Sequence, residues 1–256
     1  MENTQSNIKY LKDEPIKKAI AHLSIPMMIG MSAGTIYNVI NAYFIGLVHD
    51  TAMLSAITLG LPIFTVLMAF GNMFGVGGGT FITRLVAQNE VDRAKKVAGY
   101  TFYTSIIVGL LIAVFTCLLM NPIVKLLGAD SNTLNYTTQY STTLFIGGFA
   151  VILNFALEQI VRSEGASKES MYGMFVSVVV SIILDILFIL VIDLHVYGAA
   201  LSMVIANIAS SIYYIWYLNT KSENLKGFLY HFKISIKDQI EIYKIGVSEL
   251  IQCAFM

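Results

Sequence analysis

The sequence predicts an all-α membrane protein with six transmembrane helices and the start of a seventh. Three observations lead there. The 256 residues are 56% apolar and 12% charged, far more apolar than a soluble core requires. The apolar residues gather into runs of about 20 or more, long enough to cross the hydrocarbon as helix, and the short alternating segments of a barrel are missing. The basic residues fall almost entirely in every second connection, the charge pattern of a chain that crosses back and forth.

Taken in order, residues 1–17 form an arm with Lys9, Lys12 and Lys17, and a six-helix lobe follows at 18–218, with Lys18 at its boundary with the arm. Its spans are expected at 18–46, 52–82, 97–119, 134–161, 170–192 and 197–218. The connection after the second span carries Arg84, Arg93, Lys95 and Lys96, and the one after the fourth carries Arg162 and Lys168. Lys221, Lys226, Lys233, Lys237 and Lys244 follow the sixth. Only Lys125 joins Asp50, Asp130 and Asp193 on the opposite side. The positive-inside rule then makes the amino terminus cytoplasmic, in a multi-pass protein of the plasma membrane. The first apolar run is too long for a signal-peptide core, so a cleaved leader is not expected.

Residues 219–236 read as a cytoplasmic linker, and 237–256 as the truncated start of a second lobe. Its apolar part, Ile245 to Met256, would rise only about 18 Å, short of a full span. It echoes the first span: with Pro26 set against Ser248, Ile20 meets Ile242, Leu23 meets Ile245, Ile25 meets Val247 and Met28 meets Leu250. Six is even, so a second unit would enter in the same orientation, as parallel repeats do. The chain is expected to be about half of a larger transporter.

Few motifs compete with this reading. The stretch Gly75–Thr80, GVGGGT, lacks the Lys of a P-loop and follows an apolar helix, so its small residues are expected to allow close helix approach; Gly30 and Gly34 form a GxxxG of the same kind. His22, His49, His195 and His231 have no ligand-type partners at i+4, and Cys117 and Cys253 read as small hydrophobes. The net charge of zero gives no support for nucleic acid as a partner. No nucleophile–base pair can be assembled, so an enzyme is not expected, nor any cofactor.

Polar residues inside the spans are the remaining candidates. Ser177, Ser181 and Asp185 recur every four residues along the fifth span and share one face, which must turn toward protein or water. Tyr37, Asn38 and Asn41 cluster in the first span, Asn154 and Glu158 in the fourth, and Asn207, Ser210 and Tyr214 in the sixth. Glu158 precedes Arg162 by four residues, the favourable order for a helical ion pair. Asp185 has no basic residue near it in sequence and must gain a partner, hydration or a proton, since a charged carboxylate at mid-helix costs about 3 kcal/mol on insertion scales. An ion-coupling role and an interhelical hydrogen-bond staple are both open on this evidence.

The segments IPMMIGMSAGTIYNVINAYFIG, FGVGGGTFITRLVAQNEVDRAKK, VRSEGASKESMYGM and ILDILFILVIDLHVYGAALSMVIAN, in this order and spacing, resemble the amino-terminal half of the multidrug and toxin extrusion transporters. The resemblance covers the chain from about residue 15. It implies one lobe of a two-lobe, twelve-helix antiporter that exports cationic or amphipathic drugs in exchange for protons or sodium ions. By resemblance Asp185 is the ion-coupling carboxylate of this lobe, and Asn154 joins its polar cluster. Asn41 stands where other branches carry an Asp, and Ser181 and Ile186 replace an Asn and a Pro. Met203 replaces a Thr, and Ser248 the Pro of the seventh span. Tyr37 and Asn38 are the candidates for substrate contact, Tyr37 through cation–π attraction. A lipid or lipid-linked-sugar flippase of the related superfamily and an inactive truncated half are the alternatives; a flippase is expected to carry basic residues inside its spans, and these spans have none.

The orientation is checked by cysteine labelling from outside intact cells: positions beside Asp50, Asp130 and Asp193 are expected to react, and positions beside Lys95, Lys168 and Lys226 to stay protected. Labelling at Lys226 overturns it.

Overall fold

The computed structural model describes residues 15–46, 50–231 and 233–254. Lys9 and Lys12 of the arm, and His49, lie outside the described residues. The helices are α1 (Ile16–Gly46), α2 (Thr51–Ala87), α3 (Val91–Leu118), α4 (Met120–Leu126), α5 (Leu134–Ile146), α6 (Gly148–Ser163) and α7 (Ser167–Asp185). A π-helical stretch, Ile186–Val191, continues α7; α8 (His195–Thr220), a 3-10 turn at Phe228–Tyr230 and α9 (Ile236–Ala254) complete the chain. Five of these segments are long and apolar enough to cross a bilayer, and α5 with α6, bent by 51°, makes a sixth.

Three features go beyond what the apolar runs reveal. The fourth span breaks at Gly147, where a Cβ would lie 2.9 Å from Cβ of Val204 on α8, so glycine alone lets the bent helix seat there. The connection after α3 is itself helical: α4 reads MNPIVKL, with Pro122 in the first turn where no intrahelical bond needs its N–H. The backbone after Asp185 widens to a π-helix, with the Ile192 amide reaching back to Leu187 O at 2.9 Å. Such bulges collect at functional sites.

Helix α6 is the centre of the lobe. Val151, Ile152, Ala156, Leu157, Ile160 and Val161 are fully buried along it, because α2, α3 and α8 pack around it. The glycine run of α2 supplies the close approach: a Cβ on Gly71 would stand 2.9 Å from Ile152 O, and one on Gly75 2.9 Å from Cα of Ala156. The packing role expected of this run therefore holds. The paired reading of Gly30 and Gly34 holds only in part: a Cβ on Gly30 would strike the Met174 sulfur, whereas Gly34 has open space within 4 Å. The reason is that α1 packs chiefly on α7 and leaves the rest of its surface free. Met28, Met31, Ile36 and Val39 are exposed along it.

At the end rich in Lys and Arg, α9 is held against α2 and α3. Arg93 grips Asp238 through two bonds, 2.5 and 3.3 Å, and Glu90 at 2.9 Å; Arg84 meets Glu241 at 3.3 Å. Further along, the hydroxyls of Tyr100 and Tyr243 stand 3.0 Å apart. At the opposite end Asp50 caps α2, accepting the amide of Ala52 at 2.8 Å, and Asp130 accepts the hydroxyl and amide of Thr133 at 2.8 and 2.9 Å. These bonds hold the exposed Asp130 carboxyl below its usual range.

The segment that follows α8 is tied down by a buried carboxylate. Glu164, in the connection after α6, is 8% exposed and accepts the Ser222 hydroxyl at 2.6 Å, while Ser222 accepts the Leu225 amide at 2.9 Å. Among the described residues, Oε2 has no hydrogen bond of full geometry. Burial pushes this carboxyl from 4.5 up to about 7, against the lowering by Ser222 and by the amides of Leu225 and Asn224. The raised value means the folded chain holds its proton longer than the unfolded chain, so stability falls as pH rises from about 4.5 to about 7 and is flat beyond. Glu164→Gln is expected to match the native chain near pH 4 and to exceed it above pH 7 by about 3 kcal/mol, the size of such a shift. Thermal unfolding across that range checks it; parallel pH profiles for both proteins refute it.

Candidate functional site

A cavity of about 480 Å³ lies between α1, α2, α6, α7 and α8, with Glu249 and Gln252 of α9 at its edge. Its walls mix aromatic rings and thioethers. Tyr37, Phe64 and Phe155 provide the first; Met31, Met68, Met174 and Met203 provide the second. Unbranched methionine side chains refit around differently shaped contacts, a property of promiscuous sites. A few polar groups interrupt this surface. Gln159 donates to Asn72 at 3.3 Å, and Asn207 turns its amide to Met203 O at 2.8 Å.

A buried ion pair lies in the wall. Arg162 bonds Glu158 one helical turn back and donates to the Ser170 hydroxyl at 3.0 Å, and both charged residues line the cavity. The pairing expected from their spacing is present. The sequence did not reveal that the pair faces a cavity, because i,i+4 spacing is the same on a buried and on a solvated face.

Asp185 sits behind the cavity wall, fully buried at the junction of α7 and the π-helix. The Tyr37 hydroxyl donates to Oδ2 at 3.1 Å, and the Ser202 hydroxyl donates to Oδ1. Ser202 also has the Ala199 carbonyl within reach at 3.0 Å, so its one hydrogen has two possible acceptors. Among the described residues the carboxylate has no cationic partner. It therefore ties α1, α7 and α8 together through hydroxyls alone.

The other residues singled out from the sequence divide into two groups. Tyr37 and Ser181 line the cavity and flank the carboxylate's compartment, both buried. Asn154 also lines the cavity, with its Oδ1 buried and unpartnered, and it does not bond Asp185. Asn41 lies one turn beyond Tyr37 on α1, also with an unpartnered Oδ1. Asn38 belongs to α1, but its side chain falls outside the described residues. Ser202 is the participant that sequence reasoning missed. A single serine in an apolar span most often bonds its own helix, and nothing in the spacing from Asp185 marks it.

Comparison with known proteins accounts for this arrangement. The MatE family model matches residues 26–187. The multidrug export protein MepA of Staphylococcus haemolyticus (strain JCSC1435) is 42% identical over 247 residues, covering 96% of this chain and 55% of that protein. The chain thus spans about half the length of the curated relatives it matches. A MOP superfamily transporter from Pyrococcus furiosus Vc1, reported for the reverse polarity of its binding pocket, superposes with a TM-score of 0.91 at 27% identity. A multidrug resistance MATE family transporter of the MOP superfamily, in an outward-facing conformation, gives the same values. Each aligns over 100% of this chain and 56% of its own. By sequence and by fold, the chain belongs to the MatE family.

Proposed function

We propose that the chain is one lobe of a cation-coupled exporter of cationic or amphipathic drugs, working by alternating access with a second lobe. The observation that carries this reading is the juxtaposition of an adaptable cavity with an uncompensated carboxylate one side chain behind its wall. A cavity of about 480 Å³ falls in the size range of small-molecule sites. Its methionines and rings suit flat or flexible apolar bodies, and Tyr37 and Glu249 offer a cation somewhere to rest. The free surface of α1, open at Gly34, is where the second lobe would close the cavity. The amino terminus is cytoplasmic on this reading, in the plasma membrane, as the distribution of Lys and Arg implies.

The coupling follows from the hydrogen bonds of Asp185. A charged carboxylate accepts from Tyr37 and Ser202 together and so clamps α1 and α8 to α7. Protonation removes the charge and turns one oxygen into a donor, so the carboxyl can no longer serve both hydroxyls equally. Ser202 can turn to the Ala199 carbonyl, and Tyr37 is released toward the cavity. Drug and proton then compete through the same tyrosine. A proton suits the observed partners of Asp185, two hydroxyls, better than sodium, which wants several oxygen ligands. No further cofactor and no catalytic chemistry are part of this reading.

The test uses the lobe within a complete two-lobe transporter. Asp185→Asn is expected to insert and express normally, since an amide is at least as easy to bury as the acid. It abolishes ion-driven efflux while changing equilibrium drug affinity by less than about tenfold, the scale of one neutral hydrogen bond. Tyr37→Phe, which keeps the ring, lowers efflux and moves its pH profile. Efflux by Asp185→Asn at the native rate and pH profile, at matched protein levels, sinks the coupling role and leaves an interhelical staple.

A further inference from the structure

A second cavity lies away from the first, between α2, α3 and α4, and its chemistry differs. It measures about 630 Å³ and is bounded by Pro62 and Val66 of α2, Leu111 and Phe115 of α3 and Ile123 and Leu127 of α4, among other apolar side chains. Val66, Leu111 and Phe115 are 49%, 62% and 65% exposed, so it is a groove open to the side of the lobe and not an internal void. Thr116 is the one residue of its lining with a side-chain hydroxyl, and that group is spent on its own helix, at 2.6 Å from Ile112 O. No atom of the lining is an unpartnered buried polar group. The groove therefore offers an occupant dispersion and apolar burial, and no hydrogen bond.

Its position along the membrane is set by helix length. Pro62 and Val66 stand 11 and 15 residues from the start of α2, and Leu111 and Phe115 near the end of α3, so the groove occupies the half of the bilayer at the Lys125 end. Helix α4 caps it there. Met120 and Val124 are buried and Ile123 and Leu127 line the groove, while Leu118, just before the helix, and Leu126 are 79% and 88% exposed. Bare leucines beside an exposed Lys are the signature of a helix lying in the interface, with its apolar side in the acyl region. Lys125 is the sole Lys or Arg on this side of the chain, and it forms no ion pair with a described residue; Asp130, five residues on, turns Oδ1 to Thr133 and makes no ion pair with it. An uncommitted ammonium thus stands at headgroup level, on the helix that closes an acyl-shaped groove.

We propose that the groove between α2, α3 and α4 seats an acyl chain of a phospholipid from the Lys125-side leaflet, and that Lys125 selects an anionic headgroup for it. The lipid fills the recess beside the bend at Gly147, where Phe145 also lines the wall, and so supports the broken span from the bilayer side. This site is separate from the drug cavity and does not depend on transport.

Trp216, the one tryptophan of these 256 residues, is changed to Phe together with any tryptophan of a second lobe, and Phe115→Trp puts the only indole at the groove mouth. The protein is reconstituted into phosphatidylcholine vesicles containing a minor fraction of phosphatidylglycerol or phosphatidylcholine brominated on its acyl chains, and indole quenching is titrated. Brominated phosphatidylglycerol is expected to reach half-quenching at a mole fraction about fivefold lower than brominated phosphatidylcholine, the preference that one Lys gives at a membrane surface. Lys125→Gln, an exposed change that leaves the helical circular dichroism intact, brings the two curves together. Val66→Phe, which fills the mouth from α2, weakens quenching by both lipids. Coincident curves with Lys125 in place mean bulk lipid only and overturn the proposal, as does a preference that survives Lys125→Gln. A reporter that neither lipid quenches overturns the groove itself.

Discussion

A carboxylate buried in a membrane span, with no cationic partner among the described residues, is the constraint from which the rest of this lobe can be understood. Asp185 is fully buried, and the groups that satisfy it are hydroxyls from two other helices, Tyr37 on α1 and Ser202 on α8. Such bonds are weaker than an ion pair and can be remade, since each hydroxyl can turn to another acceptor. An arginine in the same place would hold the charge permanently. The contrast lies within the same fold: Glu158 is clamped by Arg162 within one helix, whereas Asp185 reaches across three. On the proposed reading the first is a fixed part of the cavity wall and the second is the part that changes.

Rearrangement of so few bonds matters only if the surrounding helices keep their places. Helix α6 is buried except along the face that lines the cavity, and the glycines of α2 bring two backbones close enough that even a methyl group would collide. The same glycine run serves α9, which is further held by the Arg93–Asp238 and Arg84–Glu241 pairs at the basic end. Rigidity is thus concentrated in α2, α3, α6 and α9. By contrast α1 rests mainly on α7 and is exposed elsewhere, with Pro26 inside it removing a backbone donor. The cavity lies along the boundary between the rigid set and this looser pair.

Several features were legible in residue order, and others were not. The spans were legible because hydrocarbon imposes a minimum apolar length on every crossing helix, and the stretch Gly75–Thr80 betrayed close packing because only small residues permit it. The break at Gly147, helix α4 and the π-helix after Asp185 were not. The first two depend on what faces the segment from elsewhere in the fold: Val204 against Gly147, and the core against Met120 and Val124. Gly34 shows the same limit in reverse, since its spacing from Gly30 reads as a packing motif although nothing packs on it.

By itself, the sequence determined that this chain crosses a membrane about six times, which face carries the positive charge, and that Asp185 needs an explanation. Those properties follow from transfer free energies that each residue carries with it, so they can be summed along the chain. Only the tertiary structure decided that Tyr37 and Ser202 answer Asp185 while Asn41 and Asn154 do not, and that Glu158 and Arg162 look into a cavity. It alone decided that Lys125 stands beside an apolar groove. A hydrogen bond between residues 148 positions apart depends on a distance of about 3 Å and on the direction of a hydroxyl, and both are set by how helices cross. Neither is a property of any residue alone.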